Sequence, residues 1–348
     1  MNAPSKQTLL ARLKKAQKYL KSQGLKAALF EAPEDLFYYT GLTLSLGALL
    51  IKANSAKLYI DSRYRELCEK KAPMPLEEHA KLKLVKGHIA FDDSKTSALR
   101  LKTLRKIANK SGARLQAHSH MGMLLREEKD AHEIKKISKA CSLVCEAMEF
   151  VEQKLKPGIT ERALAQAIEI FYIEKGASIS FDPIVAFGPR SAMPHSTPED
   201  RKLKKGDTVL VDMGCEFEHY ASDMTRVFFC GPPSKKMQHI YSVVNDALEK
   251  GASLCKPGVK IADVDKQVRA LIKKAKLPPY EHALGHGVGI CVHELPFISE
   301  KEKAKKLKTG MVITIEPGVY IPGLGGVRLE NQLLITTTGY KNLTPYKL

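Results

Sequence analysis

The sequence predicts two domains, an α/β domain over residues 1–125 followed by an α+β domain over residues 126–348 that contains an internal repeat with a pseudo-twofold axis. Three observations lead there. Short helical and strand patterns alternate through the first third of the chain. Further on, one phrase occurs twice, as LKKGDTVLVDMG from Leu203 to Gly214 and as LKTGMVITIEPG from Leu307 to Gly318. Each copy is preceded by the same succession of helix, Lys-Pro-Gly and helix, so the duplication extends well beyond the phrase itself.

In the first domain the periodicities give a helix over 7–23, strands over 27–30, 48–51 and 57–61, and helices over 62–71 and 97–110. The boundary is expected around 121–129, where an apolar patch gives way to the charged run Arg126-Glu127-Glu128-Lys129-Asp130. A long helix over 131–155 follows, because Ile134, Ile137, Cys141, Val144, Ala147 and Val151 recur at intervals of three and four. It stops at Lys156-Pro157-Gly158, and a second helix covers 161–175. The later copy runs in parallel, with a helix over 237–254, a stop at Lys256-Pro257-Gly258 and a helix over 262–275. Each half then continues through a strand, a histidine-containing loop, a glycine turn and a carboxylate hairpin. A site fed equally by both halves would lie on the axis relating them.

At 348 residues the chain can bury two cores, and 44% hydrophobic with 27% charged residues is the composition of a soluble globular protein. No apolar run approaches the ~20 residues that span a bilayer, and residues 6–30 read as an amphipathic helix and a strand rather than a signal peptide. Seven scattered cysteines without CxxC spacing fit reduced thiols and a cytoplasmic location. The net charge of +18 raises the question of nucleic acid, and its distribution answers it. Residues 1–130 hold 25 Lys+Arg against 13 Asp+Glu, whereas the remainder holds 31 against 25. The lysines of the first third alternate with apolar residues at helical spacing, as from Leu10 to Ala16, without an RNA-binding signature or a Cys/His finger among them. They read as a solvated basic face, so neither a membrane nor a specific nucleic-acid partner is expected.

The chemistry is carried by the repeated phrase. Asp212 and Glu316 end the two β-branched apolar runs, and a hairpin later come Asp223 in ASDMTR and Glu330 in GVRLEN. Four carboxylates on apolar strands are costly to bury unless a cation binds them. Histidines accompany them: His195 in PHSTP, His293 in VHELP, and His282 with His286 in the glycine-rich stretch from Glu281 to Gly289. Oxygen donors with one imidazole suit two divalent ions such as Mn²⁺, Co²⁺, Zn²⁺ or Fe²⁺, which together acidify a water and polarise a carbonyl for hydrolysis. Singly, each residue also has a structural explanation, since a strand aspartate can merely open a turn and Glu330 can pair with Arg328. Their matched positions in both halves argue for a metal centre.

Together, VDMG, SDMTR, GHGVG, IEPG and RLE resemble the motifs of the pita-bread metallopeptidases, the family of methionine aminopeptidase, aminopeptidase P and prolidase. The motifs span about residues 195–331, and the long helix with its Lys-Pro-Gly stop extends the resemblance back to about 126. The resemblance implies a dinuclear site of Asp212, Asp223, His286, Glu316 and Glu330, manganese first among the candidate metals, with Glu316 also moving a proton. It further implies that His195 and His293 act on substrate, that His282 lines the same site, and that Tyr320 and Arg328 order the site and the leaving group. The leading α/β domain resembles the creatinase-like domain of the proline-specific branch, which implies a homodimer and an Xaa-Pro peptidase acting on proline-containing peptides or dipeptides. Within that branch the reading leans to the aminopeptidase over the dipeptidase. The alternatives are a methionine-aminopeptidase-like enzyme and a non-catalytic module that binds through its basic N-terminal domain.

Overall fold

Leu9, Leu13, Ala16 and Leu20 recur at helical spacing and are buried along one face of the first helix, α1 (Lys6–Ser22), whose start is capped by Ser5 accepting from Thr8 N. The computed structural model describes residues 4–347 and divides into two compact units, the first ending at Arg126 and the second beginning at Glu127.

The first unit is a six-stranded mixed sheet with helices. In chain order its further elements are β1 (Ala27–Phe30), α2 (Pro33–Thr40), β2 (Gly47–Lys52), β3 (Ser55–Ile60), α3 (Arg65–Lys71), β4 (Leu76–Glu78), β5 (Gly87–Phe91), α4 (Ala98–Ser111), β6 (Ala113–Ala117) and α5 (Met121–Arg126). The strand order is β4-β3-β2-β1-β5-β6. The sequence reading lacks α2, β4, β5, β6 and α5. Of these, α2 has a legible start, with Pro33 in its first turn followed by Glu34 and Asp35, and ends at Gly41 in the left-handed conformation (φ 68°). The helix expected over 62–71 begins as a 3₁₀ turn, Ser62–Tyr64, before α3.

The second unit carries the repeat. Its first half comprises α6 (Ala131–Lys154), α7 (Glu161–Glu174), β7 (Ser178–Ile179), β8 (Ile184–Phe187), β9 (Thr208–Met213), β10 (Cys215–Phe217), β11 (Tyr220–Ala221) and β12 (Met224–Phe229). Its second half comprises α8 (Lys235–Leu254), α9 (Ile261–Lys274), β13 (Gly285–Gly287), β14 (Glu294–Ile298), β15 (Val312–Ile315), β16 (Gly318–Ile321), β17 (Gly325–Arg328), β18 (Asn331–Ile335) and β19 (Tyr340–Asn342). A reciprocal box opens α6, in which Asp130 accepts from Glu133 N and the Glu133 carboxylate accepts from Asp130 N.

The duplication extends to individual hydrogen bonds. Gly158 N donates to Leu203 O and Gly258 N to Leu307 O, each 2.9 Å, so each Lys-Pro-Gly turn is tied to the start of its own copy of the repeated phrase. Both glycines need positive φ, 97° and 87°. The sheets match as well: β12-β9-β8 in the first half corresponds to β18-β15-β13 in the second, where β14 and β19 are added at the edges. The glycine-rich stretch that carries His286 is therefore the second half's counterpart of β8. Each half has its own apolar core, Val144, Leu164, Val185 and Val211 in one and Val244, Val268, Ile313 and Leu333 in the other.

Candidate metal centre

Backbone pairing sets the carboxylates. In the β9/β12 ladder Asp212 lies opposite Thr225, and Asp223 immediately precedes β12. In the β15/β18 ladder Ile315 lies opposite Asn331, so Glu316 and Glu330 sit just beyond its end, facing each other. The halves are sewn together there. Asp223 N donates to Gln332 Oε1 at 2.9 Å, and Glu330 N donates to Thr225 O at 3.1 Å. Gly285 and Gly287 allow β13 to come close: a Cβ on Gly285 would lie 2.0 Å from Thr314 O, and one on Gly287 2.2 Å from Leu295 O. That approach delivers His286.

The five side chains meet. Ligand atoms of Asp223, His286 and Glu330 lie within 4.8 Å of one another. His286 Nε2 is 3.5 Å from Asp223 Oδ2 and 3.5 Å from Glu316 Oε1, while its Nδ1 faces Gly287 O at 3.1 Å. That carbonyl can only accept, so Nδ1 carries an N–H and Nε2 is the atom turned toward the carboxylates. Asp212 joins the group through Arg328, whose Nη2 donates to Oδ2 at 2.5 Å.

Hydroxyls aim the remaining oxygens. Thr225 donates to Glu330 Oε2 at 2.7 Å, and Thr314 accepts from His286 N at 3.1 Å while donating to Glu316 Oε1 at 3.2 Å. Sequence reasoning missed both threonines, although Thr225 lies two residues from Asp223, on the same side of an alternating segment.

The electrostatics ask for a cation. Burial, then Asp212 and Glu316, hold the Asp223 carboxyl well above its ordinary range. Burial and then Asp223 do the same to Glu330, and burial followed by Glu330 pushes Glu316 up to about 8. Among the described residues, Asp212 Oδ1 and Glu330 Oε1 are buried without a hydrogen-bond partner. Buried carboxylate oxygens rarely go unmatched. Two orphaned oxygens beside an imidazole whose Nε2 faces the carboxylates make a donor set suited to divalent ions.

These five side chains line a cavity of about 420 Å³, which His195, His282, His293 and Arg328 also line, with Phe181, Ile184 and Phe297. His293 packs on His286 with ring centroids 4.3 Å apart. His293 is exposed, and partial desolvation followed by His286 holds its imidazole below the ordinary value. Tyr320 stands behind this lining. Its hydroxyl accepts from Arg328 Nη1 at 2.9 Å and contacts His282 Nε2 at 3.0 Å, and His282 Nδ1 meets Ala283 O at 2.7 Å. The chain Arg328, Tyr320, His282, Ala283 thus runs donor to acceptor throughout, with His282 neutral, as its burial requires: desolvation lowers its pKa to about 4.

Comparison with known proteins follows the same division. The model of metallopeptidase family M24 matches residues 135–337, and that of the creatinase/prolidase N-terminal domain matches residues 12–127. The chain is 34% identical over 343 residues to the Xaa-Pro dipeptidase of Pyrococcus horikoshii, covering 96% of each. Among solved structures it superposes on an Xaa-Pro dipeptidase from Bacillus anthracis with a TM-score of 0.91 and 29% identity, covering 98% of this chain and 99% of that one. An X-Pro aminopeptidase from Thermotoga maritima gives 0.83 and 29%, covering 96% and 98%.

Proposed function

The chain belongs to metallopeptidase family M24, with a creatinase-type N-terminal domain and a pita-bread catalytic domain, and on that premise we propose that it hydrolyses the bond before a proline in second position. The observation that carries this is the convergence of five ligand-type side chains, two with orphaned buried oxygens, in a cavity that three further histidines share. The names of its relatives, Xaa-Pro dipeptidase and X-Pro aminopeptidase, support the substrate class.

In this reading Asp212, Asp223, His286, Glu316 and Glu330 hold two divalent ions, manganese first among the candidates. When bound, the ions supply an acidified water and polarise the scissile carbonyl. The chain's own residues do the rest. Glu316, just beyond the end of β15, takes a proton from the attacking water and returns it to the leaving nitrogen. His293, on the open side of His286, steadies the carbonyl oxygen as negative charge develops. His195, on the same cavity wall, orients the substrate backbone. Arg328, fixed between Asp212 and Tyr320, keeps the first ligand in place.

Two substrate lengths are in contention. Arg328 is the only lysine or arginine among the described residues lining the cavity, and Asp212 engages it. A dipeptide's free carboxylate would then lack a cation of its own on this wall, which favours longer Xaa-Pro-Xaa peptides. The dipeptidase name of the Pyrococcus relative supports the second reading. Rates on Xaa-Pro dipeptides, on Xaa-Pro-Xaa tripeptides and on the same peptides with alanine second separate them. Faster tripeptide cleavage is expected; faster dipeptide cleavage reverses the choice, and equal rates on the alanine peptides reject the proline reading altogether. The homodimer belongs to the same proposal, and mass measurement in solution tests it.

A further inference from the structure

Three ion pairs with fully buried carboxylates stand in the second unit, and each is attached to a different substrate-facing histidine. Lys129 Nζ meets Glu294 Oε2 at 3.0 Å with both side chains wholly inaccessible. Glu294 follows His293 in the chain, and its other oxygen accepts from Cys291 N at 3.3 Å, closing the loop on which His293 stands. The carboxylate also occupies the space beside Gly289, where a Cβ would come within 2.4 Å of it.

The second pair joins Arg269 to Asp265 at 2.9 Å. The same guanidinium donates to Tyr280 O at 2.6 Å and to His282 O at 2.7 Å. Tyr280 stacks on His282 with centroids 5.0 Å apart and donates its hydroxyl to Asp265 at 2.8 Å. The third pair joins Arg190 to Glu161 at 3.0 Å. Arg190 Nη2 reaches Ser196 Oγ at 3.1 Å and Thr197 O at 2.7 Å, while Glu161 accepts from Glu199 N at 3.0 Å, so the loop that follows His195 is held at three points.

A buried ion pair returns little net stability compared with apolar side chains of the same shape, because desolvation offsets the attraction. Direction is what it supplies, since charge-assisted hydrogen bonds are short and tightly oriented. Here the pairs or their immediate partners bond to the chain within two residues of a histidine, or, for His195, along the four residues after it. His195 and His293 are both exposed on loops and have no regular element of their own to hold them. Groups acting on a reacting centre need such support.

We propose that the three pairs are separate positioning devices, Lys129–Glu294 for His293, Arg269–Asp265 for His282 and Arg190–Glu161 for His195, each setting its own histidine independently of the other two. This rests on the reading above that these histidines face substrate. The test introduces Glu294→Gln, Asp265→Asn and Glu161→Gln singly, in the parent enzyme and in His293→Ala, His282→Ala and His195→Ala backgrounds. Each carboxamide is expected to lower kcat on the order of tenfold or more in the parent, by displacing its histidine. It should cost nothing further where that histidine is already alanine, and cost the full amount in the other two backgrounds. The same loss in every background would overturn the proposal. Should Glu294→Gln fail to fold, the double change Lys129→Met with Glu294→Gln removes charge from both ends and keeps the volume.

A second arm needs no turnover. In the metal-free protein the histidine Cε1–H resonances are followed by NMR, and Glu294→Gln should shift that of His293 while leaving those of His195 and His282 in place. Movement of all three, or of none, would contradict independent positioning, whatever the substrate proves to be.

Discussion

Asp223 and Glu330 are both buried among other carboxylates; burial with Asp212 and Glu316 raises the pKa of Asp223, and burial with Asp223 raises that of Glu330, an arrangement that a metal-free protein tolerates by keeping protons on them. Removing either should therefore empty the centre rather than merely weaken it. Asp223→Ala and Glu330→Ala are expected to lower bound metal below two per chain, measured by elemental analysis, and to cost about 3 kcal/mol or more in kcat/KM, at or above the loss of one oriented donor. His293→Ala should behave differently. It packs on His286 without belonging to the ligand set, so two metals should remain while kcat falls by about 10²-fold. Metal content falling in step with activity would make His293 a ligand.

At this scale the carboxylates that the structure brings to one cavity were readable, because a carboxylate ending an apolar run is conspicuous. What stands behind them was not. Lys129 lies 165 positions from Glu294, and nothing local in either residue announces the pairing. Tyr320 illustrates the same limit: the resemblance implies that it orders the site, but its partners there, His282 and Arg328, could not be read from the sequence.

Among the elements, β13 is tightly constrained. It is only Gly285–Gly287, yet it delivers His286 and is squeezed between β14 and β15. A Cβ at position 285 would meet Thr314 O at 2.0 Å, backbone that cannot swing aside. Gly285→Ala is accordingly expected to destabilise the metal-free protein by about 1–3 kcal/mol, the usual cost of overpacking, read as a lower midpoint in thermal denaturation. An unchanged midpoint would mean that β13 has room to move. The second unit's helices and carboxylate strands could be read in advance, since their apolar intervals are long and the repeat gives two views of each. In the first unit β1, β2 and β3 could be read as well, but β4, β5 and β6 could not. β4 is three residues, and β5 and β6 are five residues each, too short for alternation to stand out from a buried run.

For the molecule as a whole, the clustered carboxylates couple stability to pH and to metal. Glu316 is raised from an ordinary value near 4.5 to about 8, with Asp223 and Glu330 also raised, so the folded metal-free chain holds protons that the unfolded chain has released. Stability from these groups is complete at acid pH and is lost as pH climbs through that window. The melting temperature of the metal-free protein should fall between about pH 5 and pH 8, and saturating Mn²⁺ should remove most of the fall. A metal-free melting temperature that rises over the same range would contradict the electrostatics of the centre.

The most direct measurement is hydrolysis of an Xaa-Pro-Xaa peptide and of its alanine counterpart by chelator-stripped protein, followed through a titration with Mn²⁺. Activity should be absent at the start, rise to a plateau at two equivalents per chain, and be confined to the proline peptide. Full activity in the stripped protein, or equal cleavage of the alanine peptide, would contradict a metal-dependent Xaa-Pro peptidase.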